Sequence, residues 1–178
     1  MSKKTLLISS SPRCEGNSDI LCDEFLRGAQ EAGHTGEKIR LADKEIHYCT
    51  GCCACIQRPG FCAQQDEMAE LREKLLACDV LVLATPVYFH ALNGPMKNFI
   101  DRVCPIYTEL KNKEVYFVIA AAGGAAVVES TAQSLRLFTD CFDSFREKGV
   151  ISVTGVWGEG EVKRTSAIQH AYQAGRAA

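Results

Sequence analysis

The sequence predicts an α/β protein, a doubly wound five-stranded parallel sheet in the order 2-1-3-4-5 with helices on both faces. Three observations lead there. Short, wholly apolar runs recur along the chain, segments with helical spacing separate them, and two further runs alternate apolar with polar residues. Runs apolar on both faces suit buried parallel strands, and alternating runs suit half-exposed edges. The first strand is Leu6-Leu7-Ile8, and it leads into a helix carrying Leu21, Phe25 and Ala29. Ile39 and Leu41, set between Lys38 and Arg40, mark the second strand at one edge. Met68, Leu71 and Leu75 fall at i, i+3 and i+7 of the next helix, before the central strands Val80–Ala84 and Val115–Ala120. A helix opening on the capping-box pattern Ser130-Thr-Ala-Gln133 continues through Leu135, Phe138, Phe142 and Phe145. Ile151, Val153 and Gly155, set against Ser152 and Thr154, form the last edge strand. Ala167, Ile168, Ala171 and Ala174 predict a closing helix, and the segment from Trp157 onward shows no chemistry of its own.

No linker, repeat or low-complexity stretch interrupts residues 1–178, so one domain is expected. A net charge of −2 gives no electrostatic reason to expect nucleic acid or anionic lipid. No run approaches the roughly 20 apolar residues that cross a membrane. The N-terminal apolar run stops after three residues, shorter than a signal peptide requires, and the expected compartment is a reducing cytoplasm. There, ten cysteines mean metal binding, redox work or packing rather than bridges.

Ligands of such sheets bind beyond the carboxyl ends of the strands, where the strand order reverses. The first loop there reads Ser9-Ser10-Ser11-Pro12-Arg13-Cys14-Glu15-Gly16-Asn17-Ser18 and runs into a helix. Hydroxyls, a guanidinium, an amide and free N–H groups at a helix N-terminus make an anion site, suited to a terminal phosphomonoester. It is neither a P-loop nor a dinucleotide fingerprint, since both glycine patterns are missing. The alternative is a solvated turn in which Asn17 or Ser18 caps the helix.

Ser9 to Arg13 with Gly16-Asn17-Ser18, together with Thr85-Pro86-Val87-Tyr88-Phe89 and Gly94 to Arg102, resembles the NADPH-dependent FMN reductase family of flavodoxin-like proteins. The resemblance spans roughly residues 5 to 125. It implies FMN, with the phosphate around Ser9, Ser11, Arg13, Asn17 and Ser18 and the ring against Pro86, Val87, Tyr88 and Phe89. A flat ring needs such apolar walls, and Gly123-Gly124 in the third loop allow close backbone approach. The alternatives are a simple cap on the core for Tyr88 and Phe89 and an ordinary turn for the glycine pair; His90 reads either as a structural loop residue or as one that meets the ring or the nicotinamide.

Five of the ten cysteines fall within residues 49 to 62. Leaving Cys53 aside, Cys49, Cys52, Cys55 and Cys62 have the spacing C-x2-C-x2-C-x6-C, which lets one short loop wrap an iron–sulfur cube. Four thiolates also satisfy tetrahedral zinc, although zinc fingers usually separate two pairs by a longer spacer. Free or redox-active thiols are the third reading. Beside the FMN loops, the pattern is similar to the iron-sulfur flavoproteins, a branch of the same family, and implies a 4Fe-4S cluster. Cys22, Cys78, Cys104 and Cys141 read as packing, and Cys14 borders the phosphate loop without a role.

The resemblance implies an electron-transfer flavoprotein that passes electrons between NAD(P)H or ferredoxin and a small-molecule acceptor, assembled as a homodimer or homotetramer. No catalytic acid or base is expected, because the cofactors carry the chemistry. An FMN-only flavin or quinone reductase is the first alternative. A non-enzymatic zinc-binding or signalling module is the second, and a phospho-acceptor would want acidic residues where this chain has three serines.

Overall fold

A computed structural model describes residues 2–178. The elements run β1 (Lys4–Ser9), α1 (Asn17–Glu31), β2 (Thr35–Arg40), α2 (Ala54–Gln57), α3 (Met68–Ala77), β3 (Val80–Tyr88), β4 (Ala91–Leu92) and α4 (Gly94–Asp101). Then come β5 (Glu114–Ala120), α5 (Ala125–Thr139), β6 (Arg146–Val153) and α6 (Ala167–Arg176). The sheet order is β2-β1-β3-β5-β6, all parallel, which is the predicted 2-1-3-4-5 of the long strands. The unforeseen element is the two-residue β4, which folds back antiparallel on the end of β3, pairing Tyr88 with Ala91 and Val87 with Leu92.

Alternate residues of the central strands feed opposite faces, as the pleat requires. Leu6, Ile8, Leu81, Leu83, Phe117 and Ile119 pack with Met68, Leu71, Phe99 and Leu135 on one side. Leu7, Val82, Tyr116 and Val118 pack with Leu21, Phe25 and Ala171 on the other. Phe25 meets Tyr116 edge-on at 4.9 Å between ring centres. On that second face α6 lies against α1 so closely that a Cβ on Gly28 would overlap the Tyr172 carbonyl, and one on Gly175 the Phe25 carbonyl. Among the described residues no helix is long and apolar enough to cross a membrane.

The helix expected to open at Ser130 begins at Ala125 instead, with Gly124 in the N-cap position. Ser130 and Thr131 are therefore mid-helix, and the Thr131 hydroxyl donates back to the Val127 carbonyl at 2.8 Å. Nor does the helix reach Phe142 and Phe145. It ends at Thr139, and Phe142 lies 5.1 Å from Phe138 and 4.8 Å from Phe145 between ring centres. The helical spacing of these rings records an aromatic cluster beneath the helix end rather than further turns.

Candidate functional site

A cavity of about 370 Å³ opens beyond the carboxyl ends of β1, β3 and β5. One wall is Ser11, Arg13, Asn17 and Ser18, the other Pro86, Val87, Tyr88 and Phe89, so eight of the eleven residues predicted for this site share one space. The remaining three stand elsewhere. Ser9 is fully buried in β1, and its hydroxyl donates to Asp19 Oδ1 at 2.6 Å. Gly123 and Gly124 are not wall residues; Gly124 leads into α5, and Ala120 and Ala122 line the cavity from that side.

The local chemistry suits an anion at the α1 end. Gly16, not Asn17 or Ser18, occupies the N-cap position, and no side chain caps the helix. A Cβ on Gly16 would overlap the Ser11 hydroxyl, so any larger residue here would have to displace that side chain from the loop. Ser18 is buried, yet its Oγ has no hydrogen-bond partner. A buried hydroxyl without a partner is costly, and on a cavity wall at a helix N-terminus it marks a place for a ligand acceptor. Beneath it, Asp19 is neutralised by Lys38 at 3.2 Å and Arg40 at 3.7 Å. Although burial opposes its charge, Asp23 and Asp19 hold the Lys38 ammonium above its usual range.

Sequence reasoning missed the segment after β6. Trp157 is largely exposed and lines the same cavity as Tyr88 and Phe89. Arg13 Nη1 donates to the Trp157 carbonyl at 3.0 Å, and Asn17 Nδ2 donates to the Gly158 carbonyl at 2.8 Å. Asn17 Oδ1 in turn accepts from the Val162 N–H at 3.0 Å. The carboxamide of Asn17 is thus committed to holding the Trp157 segment in place. Asn93 was missed as well: it accepts from the Met96 N–H to cap α4 and donates to the Ser10 carbonyl at 2.7 Å, tying the loop after β3 to the loop after β1. At the hinge of the β3–β4 turn, Phe89 and His90 both adopt left-handed backbone, with φ of 47° and 64°, and Phe89 is completely exposed.

A second hollow is lined by Cys49, Cys52, Cys55 and Cys62, the four predicted ligands, together with Cys53 and Cys104. Cys104 is therefore not the packing residue that its context predicted. It is exposed, and its sulfur lies 3.6 Å from Cys55 Sγ. Nothing in the spacing of the cysteines foretold this, because the turn after α4 brings Cys104 in from a distant segment. Cys53 sits in left-handed backbone with φ 57°, and its thiol donates to the Gly51 carbonyl at 3.4 Å. Among the described residues no three His, Cys, Asp or Glu side chains already converge as a metal-holding group. The donor set nevertheless suits a thiolate-bound cluster: the four predicted ligands share one hollow, and the buried Arg102 donates to Cys62 Sγ at 3.6 Å, a contact that stabilises a ligating sulfur. Cys22 and Cys78 are buried, as expected of packing; burial pushes the Cys78 thiol up to about 11 and the Cys22 thiol higher still.

The sequence profile of the NADPH-dependent FMN reductase family matches residues 3–146. An iron-sulfur flavoprotein of Methanocaldococcus jannaschii is 36% identical over 137 residues, covering 76% of this chain and 70% of that protein. Another, from Archaeoglobus fulgidus, is 39% identical over 102 residues, covering 57% of this chain and 46% of that protein. The chain thus spans about half the length of that relative. Among solved structures, the NAD(P)H:quinone oxidoreductase from Methanothermobacter marburgensis superposes with a TM-score of 0.77 at 18% identity, over 99% of this chain and 96% of that one. At that identity the likeness speaks for the fold.

Proposed function

The chain belongs to the NADPH-dependent FMN reductase family, and from that premise we propose that this oxidoreductase is an electron-transfer flavoprotein with two redox groups. FMN would occupy the cavity between the β1 and β3 loops, and a 4Fe-4S cluster would be held by Cys49, Cys52, Cys55 and Cys62. The observation that carries the flavin is the buried, unpartnered Ser18 hydroxyl on the wall of an otherwise largely apolar cavity. Ser11, Arg13 and Ser18 would receive the phosphate; Pro86, Val87, Tyr88 and Trp157 offer flat apolar surface to the ring. The cluster is supported by the shared hollow of the cysteines and by the names of the relatives.

When bound, FMN supplies electron exchange singly or in pairs and the cluster exchange of one electron at a time, which joins a hydride donor to one-electron partners. The protein's own part is to bind, orient and shield these groups. NAD(P)H or reduced ferredoxin is the proposed donor, and the acceptor is a small molecule. Tyr48 and Ile56 beside the cysteines, and Phe89 and Trp157 at the cavity, leave large apolar surface exposed, which supports a homodimer or homotetramer. The proposed compartment is a reducing one such as the cytoplasm, where a cysteine-rich loop of this spacing can hold a cluster.

Anaerobic purification followed by flavin and metal analysis tests the proposal. About one FMN and about four irons per chain are expected. Iron absent even after anaerobic reconstitution, with FMN retained, would leave an FMN-only flavin or quinone reductase, and zinc in its place would make the cysteine site structural.

A further inference from the structure

We propose that Cys55 and Cys104 form a peroxide-sensitive dithiol pair whose closure to a disulfide withdraws Cys55 from metal ligation. The pair itself stands on geometry alone, and only the withdrawal rests on the cluster reading above. Cys55 lies on α2, and Cys104 opens the short 3-10 turn Cys104–Ile106 that follows α4. Their sulfurs are 3.6 Å apart, and no other two sulfurs are hydrogen-bonded among the described residues. A disulfide bond is about 2.05 Å long, so side-chain rotation has only about 1.5 Å to close. The two segments are held together independently, because the Gly60 N–H donates to the Pro105 carbonyl at 2.7 Å. Of the four other thiols in the hollow, Cys53 is engaged with the Gly51 carbonyl and Cys62 with Arg102, while Cys49 and Cys52 share no hydrogen bond with Cys104. Cys104 is exposed and Cys55 partly so, which gives a small oxidant access to either sulfur.

Hydrogen peroxide is a sufficient oxidant. The first sulfur bonds one peroxide oxygen as the O–O bond breaks, and the departing hydroxide takes the thiol proton and leaves as water. The second sulfur then attacks the resulting sulfenic acid; the S–O bond breaks and a second water departs with the remaining proton. The two sulfurs lose two electrons in all, and peroxide gains them. The product ties α2 to the turn after α4 and removes one of the four predicted ligands. Reduction by a dithiol returns the site to its metal-binding form.

The test uses the full chain freed of iron with a chelator, treated with hydrogen peroxide, alkylated under denaturing conditions, digested with trypsin and analysed by mass spectrometry. The expected product joins the peptide of residues 45–72 to that of residues 103–111, with loss of two hydrogens. It should persist in Cys53→Ser and vanish in both Cys55→Ser and Cys104→Ser. Absence of the cross-link in the wild type, or its survival in Cys55→Ser, would overturn the pair. Iron uptake is the second readout. Peroxide before anaerobic reconstitution should lower wild-type uptake several-fold, reversibly with dithiothreitol, while Cys104→Ser keeps its uptake. Equal sensitivity in Cys104→Ser would overturn the withdrawal. A wild type that cross-links yet takes up no iron in either state supports the pair and removes the cluster instead.

Discussion

Asp66 and Arg102 meet in a buried, two-pronged ion pair, with Nη1 to Oδ2 at 2.7 Å and Nη2 to Oδ1 at 2.9 Å, each side chain about 1% exposed. The pair is the clasp of the cysteine loop. Arg102 Nη1 also donates to the His47 carbonyl, the Asp66 carboxylate accepts from the His47 N–H, and Arg102 Nη2 reaches Cys62 Sγ. Both ends of the loop, residues 47 and 62, are therefore anchored to one guanidinium that rises from the end of α4.

Removing one partner strands the other charge in the interior. Arg102→Ala is expected to cost about 3 to 5 kcal/mol in urea denaturation. Arg102→Lys keeps the charge but loses the fork, so it should cost less stability while still shortening the retention time of reconstituted iron.

The same pair sets an acid limit. Burial alone would raise the Asp66 carboxyl, but Arg102 and the His47 and Met68 N–H groups outweigh it and hold it at about 2, below the ordinary 3.8. A depressed folded value means the stabilisation is complete above 3.8 and is lost as pH falls towards 2. Its size is on the order of 2 kcal/mol. The pH dependence of unfolding, measured between these limits, should be flatter in Asp66→Asn than in the wild type.

Ser18 separates binding from stability. Ser18→Ala removes a hydroxyl that has no protein partner, so the FMN-free chain should unfold at the same urea midpoint or a higher one. The FMN dissociation constant, followed by quenching of flavin fluorescence, should rise by the equivalent of roughly 1.5 to 3 kcal/mol, as it should for Arg13→Ala. An unchanged constant for Ser18→Ala would place the phosphate elsewhere.

Asn17 carries a different burden. Asn17→Ala breaks the bonds to the Gly158 carbonyl and the Val162 N–H, together worth about 1 to 3 kcal/mol. The expected outcome is faster hydrogen exchange across residues 157–164 and altered emission from Trp157, the single tryptophan.

Cys52→Ser should abolish iron binding while FMN stays bound, because no cysteine lines the flavin cavity. Loss of both groups together would mean that the two sites are not independent.

Periodicity was enough to place the sheet, because residues buried on both faces must be apolar at every position, and Leu6 to Ile8, Val80 to Ala84 and Val115 to Ala120 show this directly. Topology pointed to the loops at the strand ends, and the family resemblance named the residues in them, eight of which line one cavity. Local spacing misled at Ser130, where a capping pattern is equally compatible with a helix interior, and at Phe142 and Phe145, where aromatic packing imitates helical rhythm. Contacts between distant segments were decided only by the tertiary structure: Ser9 with Asp19, Asn17 and Arg13 with the Trp157 segment, Asp66 with Arg102, and Cys55 with Cys104. Hydrogen bonds and sulfur contacts depend on positions to within about an ångström, and a repeat of apolar residues specifies which face is buried but not which polar groups meet across it.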